Sequence, residues 1–333
     1  MKRVALIILV FGLISWAKGQ DPHFTQFYAN QLYLAPSFAG ATESDRITVA
    51  YRNQWPEIVS GVFVTYCFSY DHFFDNFNSG VGVLLMRDVA GTGNLGTTNA
   101  GIQYSYDIKV KEQIHLRPGI HFNYTQQGID FFELTWNDQL ASGSAGTIEQ
   151  EPLPTKPNVD FAASLLGYGN RYWIGFAVDH LLRPDYGLYH NEYRLPIKIS
   201  AFGGYQIIKF ASLVNPIDET VSIAFNYRHQ ERYNQVDLGL YWLKPPLMLG
   251  LWYRGIPFLS GDEDDPYRKD PRGDALAFLI GYKQPPLRVG YSYDFTISKL
   301  VSSTGGAHEL VVTWEFKTTR KKKRTRMVPC PEF

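Results

Sequence analysis

Beyond its first twenty residues the chain has no apolar run as long as a membrane helix, because Arg, Asp, Lys or Glu interrupts every apolar segment. Helical spans are excluded, so any insertion into a bilayer must use strands. Cysteine is scarce: Cys67 and Cys330 are too few for a disulfide framework and are poorly placed to pair. His23, His72, His115, His121, His180, His190, His229 and His308 are scattered singly, and none belongs to a motif for metal ligation or for an activated nucleophile. The expectation is a chain with no catalytic residue, no metal and no cofactor. Gly91 to Gly96 matches a glycine-rich fingerprint by letters, yet it joins two strands and opens no helix, so it reads as a hairpin loop. Asp262-Glu263-Asp264-Asp265 lacks the spaced oxygen ligands of a calcium loop and reads as a solvated loop.

What is present begins with a leader. Lys2 and Arg3 precede an apolar run from Val4 to Trp16 that ends in Ala17-Lys18-Gly19, the pattern of a secretory signal peptide over residues 1–19. Cleavage after Gly19 would expose Gln20, with no cysteine there to take a lipid. The chain is thus expected to be exported. Its formal charge balances at 32 basic against 32 acidic residues. Setting aside three basic residues in the leader, and seven basic and one acidic residue in 317–333, leaves 22 basic and 31 acidic side chains between Gln20 and Phe316. An acidic body carries a basic tail, with Arg320, Lys321, Lys322, Lys323 and Arg324 as candidate contacts in the periplasm. Export argues against nucleic acid as its partner and for an acidic partner, anionic lipid or peptidoglycan.

From Arg46 onward one theme recurs: about ten residues alternate large apolar with small or polar side chains and end in turn residues. Arg288-Val289-Gly290-Tyr291-Ser292-Tyr293-Asp294-Phe295 is one instance. A soluble sandwich would also alternate, but here one face is large and aromatic while the other is Gly, Ser, Asn, Thr, Arg and Asp. That suits a lipid-facing exterior around a polar lumen. Fourteen such segments predict an all-β fold, a single antiparallel transmembrane β-barrel over 45–316 with both termini in the periplasm. Short links such as Gly169-Asn170, Lys244-Pro245-Pro246 and Gln284-Pro285-Pro286 alternate with long ones such as Gln127 to Asn158 and Leu181 to Leu195, with two exceptions, the short turn near Arg232 and the longer link from Ile208 to Glu219. Outer-membrane barrels have that asymmetry.

The alternation places Arg46, Arg52, Arg117, Lys198, Arg228, Asp237, Arg288, Asp294, Glu309 and Glu315 on the lumen side. Charges are costly toward lipid, so a luminal ion-pair lattice is expected. Residues 20–44 are too irregular for a strand and too aromatic for a free tail. They are expected to fold into or under the lumen as a plug, with Phe24, Gln26, Phe27, Tyr28, Asn30, Tyr33, Pro36 and Phe38 as wall or partner contacts.

Asp21 to Ala41 (DPHFTQFYANQLYLAPSFAGA), Tyr51-Arg52-Asn53-Gln54-Trp55, Asp179 to Asp185 (DHLLRPD), Ser292 to Leu300 (SYDFTISKL) and Gly305 to Leu310 (GGAHEL) together resemble the PorP/SprF family of the type IX secretion system of Bacteroidetes. The resemblance implies a non-enzymatic outer-membrane barrel that works with the secretion and gliding machinery. Some members partner large secreted adhesins through the adhesin's C-terminal domain, and the ending Val328 to Phe333 is more similar to that branch. The expected partners are therefore secretion components, a secreted surface protein and outer-membrane lipid. The alternative function is a diffusion channel or solute transporter.

Overall fold

The computed structural model describes residues 21–42, 44–57, 63–189, 192–210, 219–231, 233–255, 273–297 and 304–316. The leader 1–19, the acidic loop 262–265, the basic tail with Arg320, Lys321, Lys322, Lys323 and Arg324, and Cys330 lie outside the described residues.

Each predicted segment is a strand. They are β1 (Arg46–Gln54), β2 (Phe63–Phe74), β3 (Ser79–Ala90), β4 (Leu95–Tyr106), β5 (Ile114–Gly128), β6 (Thr155–Tyr168), β7 (Tyr172–Asp179), β8 (Lys198–Phe210), β9 (Glu219–Gln230), β10 (Tyr233–Lys244), β11 (Leu247–Gly255), β12 (Gly273–Gln284), β13 (Leu287–Thr296) and β14 (Ala307–Glu315). A short stretch, Ile108–Lys111, continues the line of β4 and pairs with the start of β5. Every strand pairs antiparallel with its sequence neighbours, and β1 closes on β14 from Arg46↔Glu315 to Gln54↔Ala307. The result is a closed fourteen-strand barrel. Closure leaves no unpaired sheet edge, the condition for strands to cross lipid.

An even strand number puts Arg46 and Glu315 at one rim, called here the near rim. Its described links 75–78, 169–171, 245–246 and 285–286 are tight, whereas the opposite, far rim carries the long links 129–154 and 180–197. Outward positions are large and apolar: Ile102, Phe122, Ile174, Leu240, Leu251 and Phe278 are all exposed at the surface of the isolated chain. Phe74, Tyr106, Tyr172, Tyr282 and Trp314 face outward near the near rim, as an aromatic girdle at a membrane interface requires.

The interior is filled. Residues 21–42 run down the lumen through a turn, a single helical turn α1 (Gln31–Leu34) and a 3-10 turn at Pro36–Phe38. Tyr28, Phe38 and Gln26 have no exposed surface, and Phe24, Leu32 and Ala35 have almost none. Buried inside a barrel without a sheet partner, this irregular backbone satisfies part of its polar groups in its own turns, as in Ala29 N–H to Gln26 and Phe38 N–H to Ala35, and the rest must find the wall.

Candidate functional site

Near the far rim the wall supplies a chain of charges. Arg52 meets Glu309 at 3.1 Å and Asp294 at 2.9 Å. Arg254 meets the same Asp294 at 2.9 Å and Asp237 at 3.2 Å, and Asp237 holds Arg228 at 2.8 Å. Three guanidinium groups face three carboxylates, so the lattice is formally neutral. Thr25 stands in the middle of it: its hydroxyl donates to Asp294 and accepts from Arg52 Nη1 at 2.7 Å and Arg254 Nη2 at 2.9 Å. The Thr25 and Gln26 N–H groups donate to the two Glu309 carboxylate oxygens at 2.7 and 2.9 Å. The Gln26 amide donates to Ser292 Oγ at 3.2 Å. Hydrogen bonds to charged acceptors away from water are strong, so the wall clamps two consecutive peptide units.

Toward the near rim the pattern repeats with different residues. Arg46 pairs with Asp71 at 2.9 Å and also donates to Gln31, while Asp71 accepts the Gly40 N–H at 2.9 Å. The Ala39 carbonyl accepts from Ser105 at 2.7 Å and from Arg117. Ser37 N–H donates to Ser164 at 2.8 Å, and Gln103 donates to the Leu32 carbonyl at 2.7 Å. Two wall glycines permit this approach. A Cβ at Gly80 would lie 1.8 Å from the Ala39 oxygen, and one at Gly119 would lie 2.3 Å from the Ser37 nitrogen.

Aromatic side chains pack the segment against the rest of the wall it touches. Tyr28 stacks on Trp252 at 5.8 Å and meets Tyr241 edge-on at 4.6 Å, Phe27 meets Trp252 at 4.9 Å, and Phe38 meets Phe202 and Trp173 at 5.7 and 5.9 Å. Each edge-to-face pair adds about 0.5–1.5 kcal/mol beyond burial.

The upper end of the segment is tied at the far rim. Asp21 meets His180 at 2.7 Å and Lys198 at 2.8 Å, and His180 also meets Asp160 at 2.6 Å. Burial alone would raise the Asp21 carboxyl, but His180 and Lys198 hold it well below the usual carboxylate range. Burial alone would lower the His180 imidazole, but the Asp21 charge and hydrogen bonds to Asp160 and Asp21 push it up to about 10.

The structure places most of the site residues singled out in the sequence inside the lumen. Phe24, Gln26, Phe27, Tyr28, Asn30, Pro36 and Phe38 are all buried there, as are Arg46, Arg52, Arg117, Asp237, Arg288, Asp294 and Glu309, with Arg228 partly so. Most of these meet in the two networks; Arg288 instead pairs with Glu315 at 2.6 Å. Sequence reasoning missed Arg254, Asp71, Asp21 and Thr25. It also missed the large aromatic residues on the inward face, Trp173, Phe202, Tyr241 and Trp252. Arg254 shares the phase of Met248 and Trp252 in β11, so the alternation itself could have found it. Among the described residues no group of His, Cys, Asp and Glu could hold a metal ion.

Among solved structures, the Acinetobacter baumannii outer membrane protein Omp33 is similar at 9% identity over 83% of this chain and 100% of that one, with a TM-score of 0.45. The P. putida toluene transporter TodX is similar at 10% identity over 86% and 93%, with a TM-score of 0.47. BamA from Haemophilus ducreyi is similar at 8% identity over 82% and 70%, with a TM-score of 0.41. No curated protein sequence matches. The family model described as type IX secretion system membrane protein PorP/SprF matches residues 17–314, nearly the whole chain, and the protein belongs to that family.

Proposed function

We propose that this barrel is an outer-membrane holder for a secreted surface protein, working with the type IX secretion apparatus and performing no catalysis itself. The observation that carries the reading is the clamp on Thr25 and Gln26, because a lumen tied shut by a neutral charge lattice is built to stay filled. A pore for solutes has a different need, a continuous polar path. On this reading residues 20–44 act as a permanent plug, and cargo is engaged from the faces of the barrel. The contact on the cargo side is its C-terminal domain, as the family resemblance implies. The short links at the near rim favour a periplasmic orientation for that side, which puts the basic residues Arg320 to Arg324 where they can meet an acidic secretion component. The long links 129–154 and 180–197 are then the outer surface, available to an adhesin-like partner.

The test combines two measurements on the full chain. In planar bilayers the purified barrel should pass little steady current. After cross-linking in native membranes, its affinity purification should recover a secreted protein together with secretion components. A large stable conductance, or a purification that yields neither class of partner, would remove the basis for the assignment.

A further inference from the structure

Between the N-terminal segment and the far-rim link 180–197 the lumen retains a cavity of about 640 Å³, within the range of sites that hold small organic ligands. Its floor is Leu32 and Tyr33 of the N-terminal segment, its lower wall includes Leu84 and Met86, and it reaches the far mouth at the exposed Tyr189. The charged groups on its wall fall into two sets. Asp21, Asp160 and Asp179 are matched by His180 and Lys198. Asp88 is not matched. Thr65 donates to its Oδ1 at 2.6 Å, and among the described residues no cation lies within ion-pair distance of it.

Register places Asp88 beside Thr97 and Thr97 beside Gln127, so the three stand in one row across β3, β4 and β5, facing the lumen. The Gln127 Oε1 is buried without a donor. Four residues further down β5, the Asn123 amide donates to Asn99 at 3.2 Å while its own oxygen is also buried without a donor. The wall therefore presents one unpaired carboxylate and two amide oxygens that lack donors, above an apolar floor. The two buried amide oxygens left in this state are costly and call for an explanation. A single carboxylate with amides is a poor ligand set for an inorganic cation, and no group of three or more His, Cys, Asp or Glu that could hold a metal ion occurs among the described residues.

We propose that this cavity is a binding site for an organic cation: an ammonium or guanidinium head seated at Asp88, with further donors to Gln127 or Asn123, on an apolar stem resting on Met86, Leu84 and Leu32. The head lies toward the far mouth and the stem points down at the N-terminal segment. The same chemistry could come from a free amine or from a Lys or Arg side chain of a docked protein. The site does not depend on the secretion role, because binding of a free amine requires no partner.

Calorimetry on the detergent-purified full chain separates the cases, using 2-phenylethylamine, its neutral analogue 2-phenylethanol, and acetyl-phenylalanyl-arginine amide. At least one cationic probe should bind tenfold or more tightly than the alcohol. Asp88→Asn should abolish that preference, and Asp88→Glu should retain it. Met86→Trp, which fills the floor, should weaken both cationic probes while the barrel still shows heat-modifiable migration on gels. Binding of the free amine identifies a small-molecule site, and binding of the dipeptide alone identifies a side-chain socket. If neither cation outbinds the alcohol, or if Asp88→Asn keeps the preference in a folded barrel, the proposal is overturned.

Discussion

Glu309 is the side chain through which the wall grips the N-terminal segment most directly. Its two carboxylate oxygens accept the Thr25 and Gln26 N–H groups at 2.7 and 2.9 Å, and Arg52 stands 3.1 Å away. Glu309→Ala removes both acceptors at once and leaves two buried N–H donors. Arg52 keeps Asp294 at 2.9 Å, so its charge is not stranded altogether. Each lost hydrogen bond to a charged group is worth about 1.5–3 kcal/mol, and breaking a buried ion pair costs about 3–5 kcal/mol. Since these losses overlap, about 3–5 kcal/mol is the reasonable total. That corresponds to an increase of roughly two to four orders of magnitude in the equilibrium for lifting the segment off the wall. The assay is protease protection of residues 21–42 in folded barrels, with planar-bilayer conductance measured in parallel. Heat-modifiable migration reports whether the barrel itself remains closed. Faster cleavage and more frequent conducting events are expected in Glu309→Ala, with Glu309→Gln intermediate because an amide oxygen still accepts one N–H. If the segment in Glu309→Ala stays as protected and the barrel as silent as in the parent, the clamp does not hold the lumen shut.

Gly119→Val should displace the segment without touching a charge, since even the Cβ would stand 2.3 Å from Ser37 N; loss of protease protection around Ser37, with the barrel intact, is the readout. Raising pH should loosen the upper tie. His180 has a folded pKa near 10 against an unfolded 6.5, so its stabilisation is complete below about pH 6.5 and is lost as pH rises through 10. Asp21 has the opposite sign, with a contribution present above its unfolded pKa and lost only in strong acid. Cleavage near the start of the segment should therefore accelerate progressively between about pH 6.5 and 10 and level off above that, and His180→Ala should erase that pH step. Leu240→Arg, on the outward face, should cost about 2–4 kcal/mol of folding in lipid if it sits near the bilayer midplane, measured by urea titration in vesicles.

The strand pattern was legible because a barrel wall separates two solvents. A period of two is imposed on every strand, and Val289, Tyr291 and Tyr293 alternating with Arg288, Gly290, Ser292 and Asp294 record it directly. The luminal charges were legible for the same reason. The inward aromatic residues were not. Trp252 and Tyr241 occupy positions where a water-filled lumen would hold small or polar side chains, and their size makes sense only against Tyr28 and Phe27, more than two hundred residues away in sequence. Arg254 follows the alternation of β11 and was legible as luminal, but its partners Asp237, Asp294 and Thr25 come from three separate parts of the chain, so its place in the lattice was not.

By itself the sequence determined the number of strands, their faces and the alternation of short and long links, because local side-chain chemistry must match lipid on one side and the lumen on the other. Only the tertiary structure decided how the lumen is filled: which peptide units Glu309 grips, where Gly80 and Gly119 let backbone meet backbone, and that Asp88 lines the cavity with a hydroxyl donor but no cationic partner among the described residues. Those depend on distances between residues remote in sequence, which no local pattern encodes.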